Sequence, residues 1–363
     1  MCAAATAGNA TTTVAFAINA NASRLTSTRT PRPRARRRRC NSKLAENGFT
    51  SENGTHRALT RKCDTQVNAS VPLPSPAPGL MNYRHAFHAG NFADVFKHTI
   101  LLELIDALEA KPSAFCYVDT HAGRGRYDLR SDEALKTGEA AEGVQRLLAA
   151  TALPDALQRY VLQVRAFDAG HGDDLQQYPG SPLLAQARMR EQDRAILCEL
   201  QADEAAALKS GLRGDTRFAI HQRDGYTALK ALLPPPQKRG LVLIDPPFEA
   251  QAAEFDTIAA ALADAFKRWP NAIYAIWYPI KLRETLLPFY RWLHTHAGEA
   301  DVLAAEILLQ PPNSPLRLSG CGMVLINPPY QFDQRLQSWL PAAQELLAPD
   351  HQGSHRIEWL KTA

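Results

Sequence analysis

Four consecutive residues, Asp245-Pro246-Pro247-Phe248, offer the most specific chemistry in the chain. They close the apolar run Gly240–Ile244 (GLVLI), which reads as a buried parallel strand. Neither proline can donate a backbone hydrogen bond, so the ladder stops there and the loop is stiff. A carboxylate, a proline carbonyl and an aromatic ring are thereby grouped at the carboxyl end of a strand, where open α/β sheets bind ligands. Such a set suits a flat base with an exocyclic amine: two acceptors for the amine and a ring to stack on. The plain alternative is a proline-rich turn with an incidental Asp.

Three further sites follow strand-like runs. Asp119-Thr120-His121-Ala122-Gly123-Arg124-Gly125 is a glycine loop of a kind shared by nucleotide, dinucleotide and adenosylmethionine binders. Glu199 ends the next run, where a carboxylate commonly takes both ribose hydroxyls, in NAD enzymes as well. Arg223-Asp224-Gly225 ends the third; there an Asp can accept from an adenine amine, or simply make a surface turn. Asn327-Pro328-Pro329-Tyr330 has the same shape as the segment at 245–248. Its position after the last run predicts that it lies off the site, at the end of an antiparallel edge strand.

These sites need a sheet to carry them. The spacing predicts a helix over Asp94–Leu108 and strands at Ala114–Asp119, Ala195–Leu200, Arg217–His221, Leu241–Asp245, Ala272–Tyr278, Val302–Leu309 and Gly322–Asn327. Helix-length segments separate most of them, which implies a doubly wound, mostly parallel seven-stranded sheet. Only a loop joins the last two runs, so they should pair antiparallel. The long interval after Asp119 predicts a small helical insertion over 128–180, with helices at Gly138–Ala150 and Leu153–Ala169; it would serve either as a recognition cap or as packing. Ser181 should cap, and Pro182 start, the helix that returns to the sheet.

Of 41 Lys+Arg and 37 Asp+Glu, residues 1–80 hold 12 and three, net +9. Residues 81–363 therefore hold 29 and 34, net −5, and any nucleic acid must meet local basic patches there. The first 80 residues lack apolar periodicity and read as a disordered basic tail or as sequence upstream of a misassigned start, with Met81 opening the folded part. The six cysteines (2, 40, 63, 116, 198, 321) show no metal-ligand spacing. No apolar run is long enough to cross a bilayer.

The sites at Asp119–Gly125, Glu199, Asp224 and Asp245–Phe248 resemble those of Rossmann-like, class I S-adenosylmethionine-dependent methyltransferases acting on adenine N6. The segments 81–98, Tyr178–Pro182 and Trp277-Tyr278-Pro279 narrow the resemblance, over 81–363, to the ribosomal RNA large-subunit methyltransferase J family. That resemblance implies methylation of adenine 2030 of 23S ribosomal RNA with S-adenosyl-L-methionine, by a cytoplasmic monomer needing no metal and no membrane. It implies that His98, His121, Ser181, Glu199, Asp224, Gly225 and Asp245 line the cofactor pocket. Asp245 would also be catalytic, and Tyr83, Lys97, Pro246 and Phe248 would meet the substrate, with Arg84, Arg124 and Arg126 holding flanking RNA. Phe248 stands where such clamps often carry Tyr, so no hydroxyl can act there. A DNA adenine methyltransferase and a non-catalytic RNA-binding protein are the alternative readings.

Overall fold

The computed structural model describes residues 84–363 apart from 173, 250, 312–317, 349–351 and 363. Tyr83 and the basic segment 1–80 lie outside the described residues.

All seven expected strands form: β1 (Phe115–Asp119), β4 (Arg194–Glu199), β5 (Phe218–Gln222), β6 (Arg239–Ile244), β7 (Ile273–Ile280), β8 (Val302–Leu308) and β9 (Gly320–Ile326). Two short strands, β2 (Arg126–Asp128) and β3 (Gln177–Pro179), pair separately. An eighth strand joins the main sheet, β10 (Ser354–Lys361), giving the order β10-β8-β9-β7-β6-β1-β4-β5. The five from β7 to β5 are parallel; β9 runs antiparallel to both β7 and β8, and β10 antiparallel to β8. β9 is therefore an interior strand and not the edge the pattern suggested. Each parallel strand is apolar and buried along its length, apart from half-exposed β5 at the rim.

Helices cover both faces, as parallel crossovers require. On one side α1 (Phe92–Glu109), α5 (Asp155–Phe167), α6 (Ser181–Arg188) and α11 (Phe332–Leu347) enclose a core containing Phe96, Leu101, Tyr117, Leu243 and Trp339. On the other, α8 (Gly225–Leu232), α9 (Gln251–Arg268) and α10 (Leu287–His296) pack Val118, Ile244, Phe255, Ile258 and Leu293. α7 (Ala202–Gly211) links β4 to β5.

The insertion holds α2 (Asp132–Thr137), α3 (Glu139–Glu142), α4 (Val144–Ala149) and α5. The first of the two expected helices is broken because Gly138 turns left-handed (φ 66°) to end α2, and Gly143 leaves helical geometry between α3 and α4. Gly180, not Ser181, sits at the N-cap of α6; the Ser181 hydroxyl is drawn instead to a buried acid described below.

The strand order reverses beside β1: the chain builds outward through β4 and β5, then returns to lay β6 against β1's other edge. Asp119 of β1 aligns with Leu243, two residues before Asp245. Open α/β sheets bind ligands at such a switch point.

Candidate active site

A cleft of about 780 Å³ opens at this point. It is lined by His98, His121, Ser181, Glu199, Asp224, Gly225, Asp245, Lys97, Pro246 and Phe248, so these expected site residues meet in one place, while Arg84, Arg124 and Arg126 lie outside its lining.

At its centre is an ion-paired cluster that only the tertiary structure assembles. Lys97 Nζ lies 2.5 Å from Asp245 Oδ2 and 3.0 Å from Asp94 Oδ1. Asp94 is 1% exposed, and its other oxygen accepts from the Gly90 amide (2.9 Å) and lies 2.9 Å from His85 Nε2. Burial alone would raise the Asp94 pKa, but its interaction with His85 and the positive charge of Lys97 hold it well below the usual carboxylate range. Lys97 is thus buried between two acids instead of reaching outward, and Asp245 is held from behind with part of its carboxylate open to the cleft. Asn91 caps α1 by accepting from the Asp94 amide, which fixes the helix turn that carries the cluster.

His98 and His121 are held neutral. His98 Nδ1 lies 2.7 Å from the Tyr178 hydroxyl, itself 2.9 Å from that of Tyr160. Burial drives the His98 pKa down to about 3 despite Asp94 nearby. Burial likewise brings His121 down to about 4, against the pull of Asp245 and Asp224; its ring packs edge-on to Tyr226.

Asp119, fully buried at the end of β1, accepts from Tyr117 (2.6 Å) and Ser181 (2.7 Å) and from the His121 amide (3.2 Å). Burial raises its pKa to about 6, even though those hydrogen bonds favour the charged form. It joins β1, the glycine loop and α6 into one wall. Glu199 ties down the same loop: its oxygens accept from Gly123 N (2.9 Å) and Gln201 N (2.7 Å), and burial raises its pKa. Each carboxylate oxygen retains a second lone pair for a ligand hydroxyl.

Two glycines bring backbone close to the cleft. Gly123 has φ 60°, and a Cβ on Gly225 would lie 2.1 Å from the Thr120 carbonyl, so α8 begins hard against the end of β1. Asp224 caps α8, with one oxygen accepting from Thr227 N at 2.8 Å. Only its remaining acceptor capacity faces a ligand.

The clamp departs from expectation at its last residue. Phe248 has φ 49° and is 6% exposed, wedged edge-on between Phe255 (centroids 5.2 Å) and Trp277 (5.8 Å). It shows the cleft only a margin of ring, and half-buried Trp277 from β7 offers a second aromatic wall. Of the cations expected to hold RNA, Arg124 is engaged by Glu204 (2.9 and 2.7 Å) and Arg126 lies over the Phe167 ring (4.7 Å). Arg84 is exposed.

Sequence reasoning passed over Asp94, His85 and Trp277. The signal for Asp94 was present as an i, i+3, i+4 set, Asp94, Lys97 and His98, near the start of a largely buried helix. Polar residues inside such a helix need partners, and these find them across the cleft.

The family profile described as "Ribosomal RNA large subunit methyltransferase D, RlmJ" matches residues 112–361. Curated proteins named ribosomal RNA large subunit methyltransferase J, from Haemophilus influenzae and from Escherichia coli, are each 38% identical over 281 residues. Each match covers 77% of this chain and 99% of the relative. A crystal structure of a Legionella pneumophila protein superposes with a TM-score of 0.68 at 34% identity, covering 75% of this chain and 98% of that one.

Proposed function

Since the chain belongs to the ribosomal RNA large subunit methyltransferase J family, we propose that it methylates the N6 amine of an adenine in 23S ribosomal RNA, adenine 2030 by family correspondence, with S-adenosyl-L-methionine as donor. It acts in the cytoplasm as a monomer. The observation that carries this reading is the placement of Asp245: partly buried, lining the cleft, pinned by Lys97, and sharing that cleft with His121, Ala122 and Gly123.

The residues present fit the donor. Gly123 and Gly225 let the backbone close tightly around the cleft, where a side chain would run into the Tyr127 hydroxyl or the Thr120 carbonyl, and Glu199 stands where ribose hydroxyls can donate to it. Carboxylates outnumber lysines around the cleft, which suits a sulfonium cation. When bound, S-adenosyl-L-methionine supplies an electrophilic methyl group.

Adenine N6 is a poor nucleophile because its lone pair is delocalised into the ring. Asp245 Oδ2 is engaged by Lys97, so Oδ1 is the oxygen that accepts one amine proton, while the Pro246 carbonyl accepts the other. Both acceptors are fixed before the base arrives, by the ion pair and by the stiff Pro246-Pro247 turn, so alignment and preorganisation supply most of the rate. The amine becomes acidic only as it is methylated; Asp245 then takes a proton and passes it to water. The adenine must leave its stack to enter, and Trp277 and the margin of Phe248 flank it.

Two measurements test this. The purified protein should bind S-adenosyl-L-methionine, and it should restore N6-methyladenine in 23S ribosomal RNA taken from a strain lacking the enzyme. Transfer to duplex DNA but not to ribosomal RNA would overturn the substrate assignment.

A further inference from the structure

Among the described residues, eight carboxylates and only two lysines line the cleft, and no arginine does. That balance favours a cation but opposes the polyanion carrying the target base. One of the lysines, Lys97, is held between Asp94 and Asp245. The other, Lys281, directly follows β7 at the cleft's outer lip and forms no ion pair among the described residues.

The surroundings single Lys281 out. Arg283, two residues on, is bound to buried Glu306, which also accepts from Tyr290 at 2.7 Å. The lip is firmly built: Ser319 N donates to the Ile280 carbonyl (3.0 Å) and Leu309 N to the Ser319 carbonyl (2.8 Å), so the ends of β7 and β8 and the start of β9 meet there. Gln310 and the exposed side chain of Leu318 complete the lip beside Lys281. Across the cleft the insertion is acidic: residues 128–180 hold five Lys+Arg and nine Asp+Glu, net −4. Its inner edge presents Glu139, bound by Asn91 (2.9 Å) and His88 (3.0 Å), a poor surface for phosphate.

We propose that Lys281 is a substrate-positioning residue that docks a phosphate flanking the target adenosine, so that RNA enters over the β7–β8 lip and not over the insertion. The inference rests on reading the cleft as an adenine methyltransferase site. Lys281 offsets the local carboxylate field for the phosphate nearest the flipped base, and its flexible stem lets it follow the backbone.

The test compares K281A, K281E and K281R with the wild type for binding and methylation of a 23S ribosomal RNA fragment over a range of salt. K281A should bind RNA about tenfold more weakly, with the slope of log affinity against log salt reduced by about one phosphate contact. Its KM for RNA should rise far more than its kcat falls, while affinity for S-adenosyl-L-methionine and thermal midpoint stay unchanged. K281E should be worse and K281R close to wild type. An unaltered salt slope and RNA affinity in K281A would overturn the proposal and leave the enzymatic reading standing. A wild-type protein that transfers no methyl would sink that reading instead, and the RNA-binding arm would still decide Lys281.

Discussion

Asp245-Pro246-Pro247-Phe248 and Asn327-Pro328-Pro329-Tyr330 are near-copies in sequence, yet they stand at opposite ends of one sheet. β6 is parallel to its neighbours and delivers Asp245 to the carboxyl edge, beside the glycine loop. β9 runs antiparallel to β7, so Asn327 emerges next to the start of that strand, where its amide donates to the Pro270 and Ala272 carbonyls, each at 2.8 Å. Backbone strain separates them as well. Asn327 takes a left-handed φ of 54°, which Asn tolerates, and Tyr330 is 87% exposed. In the cleft the left-handed residue is Phe248, a bulky side chain for which that geometry costs energy and persists only under surrounding constraint. The same four-residue grammar thus lines the cleft in one place and makes a structural staple in the other. Strand direction decides which.

The sharpest way to break the comparison is Asp245→Ala. Methyl transfer should fall on the order of a thousandfold, as for loss of one preorganised polar partner, while folding and cofactor affinity largely persist. Single-turnover rates beside calorimetric binding would check it. Lys97→Met comes next: it leaves Asp94 buried without its lysine and Asp245 unpinned. Expected are about a hundredfold loss of rate from misplacement and about 3 kcal/mol of destabilisation, read by kinetics and urea titration.

Acid should loosen the site side of the molecule. His98 and His121 are neutral when folded, with pKa values about 3 and about 4 against an ordinary 6.5. Between those values the unfolded chain binds more protons, so their contribution to stability is lost as pH falls below 6.5. Asp119 acts oppositely: raised from 3.8 to about 6, it favours the fold at low pH and loses that contribution as pH rises through this window. Two histidines outweigh one carboxyl, so the unfolding midpoint should drop below pH 6.5, and His98→Gln should flatten the slope. A wild-type profile in that variant would refute the assignment.

Asn327→Gly should have the smallest effect. It keeps the left-handed backbone and removes the amide bonds, costing about 1 kcal/mol per lost hydrogen bond while leaving methyl transfer at wild-type rate. Any loss of turnover would mean the two clamps are not functionally distinct.

Much of the scaffold was legible from residue patterns, because buried parallel strands are continuous apolar runs and the crossovers between them are helix-length. β10 was missed: Ser354–Lys361 alternates polar and apolar residues and stays half exposed at the edge, a weak signal beside the core strands. The break of the insertion helix at Gly138 and Gly143 was equally hidden, since a glycine within an apolar period ends a helix only where the chain can use the turn.

What the amino-acid order settled alone was local: a stiff acid-proline-aromatic turn after an apolar strand, glycines where backbone must come close, and carboxylates at strand ends. Those follow from covalent geometry and short-range sterics. What the tertiary structure decided was partnership. Lys97 and Asp245, 148 positions apart, meet only because β6 lies against β1 and α1 crosses above them. The pairing of a buried lysine, the protonation of His98 and the exposure of Phe248 all depend on such distant neighbours, since desolvation and Coulomb energy are set by what surrounds a group in space.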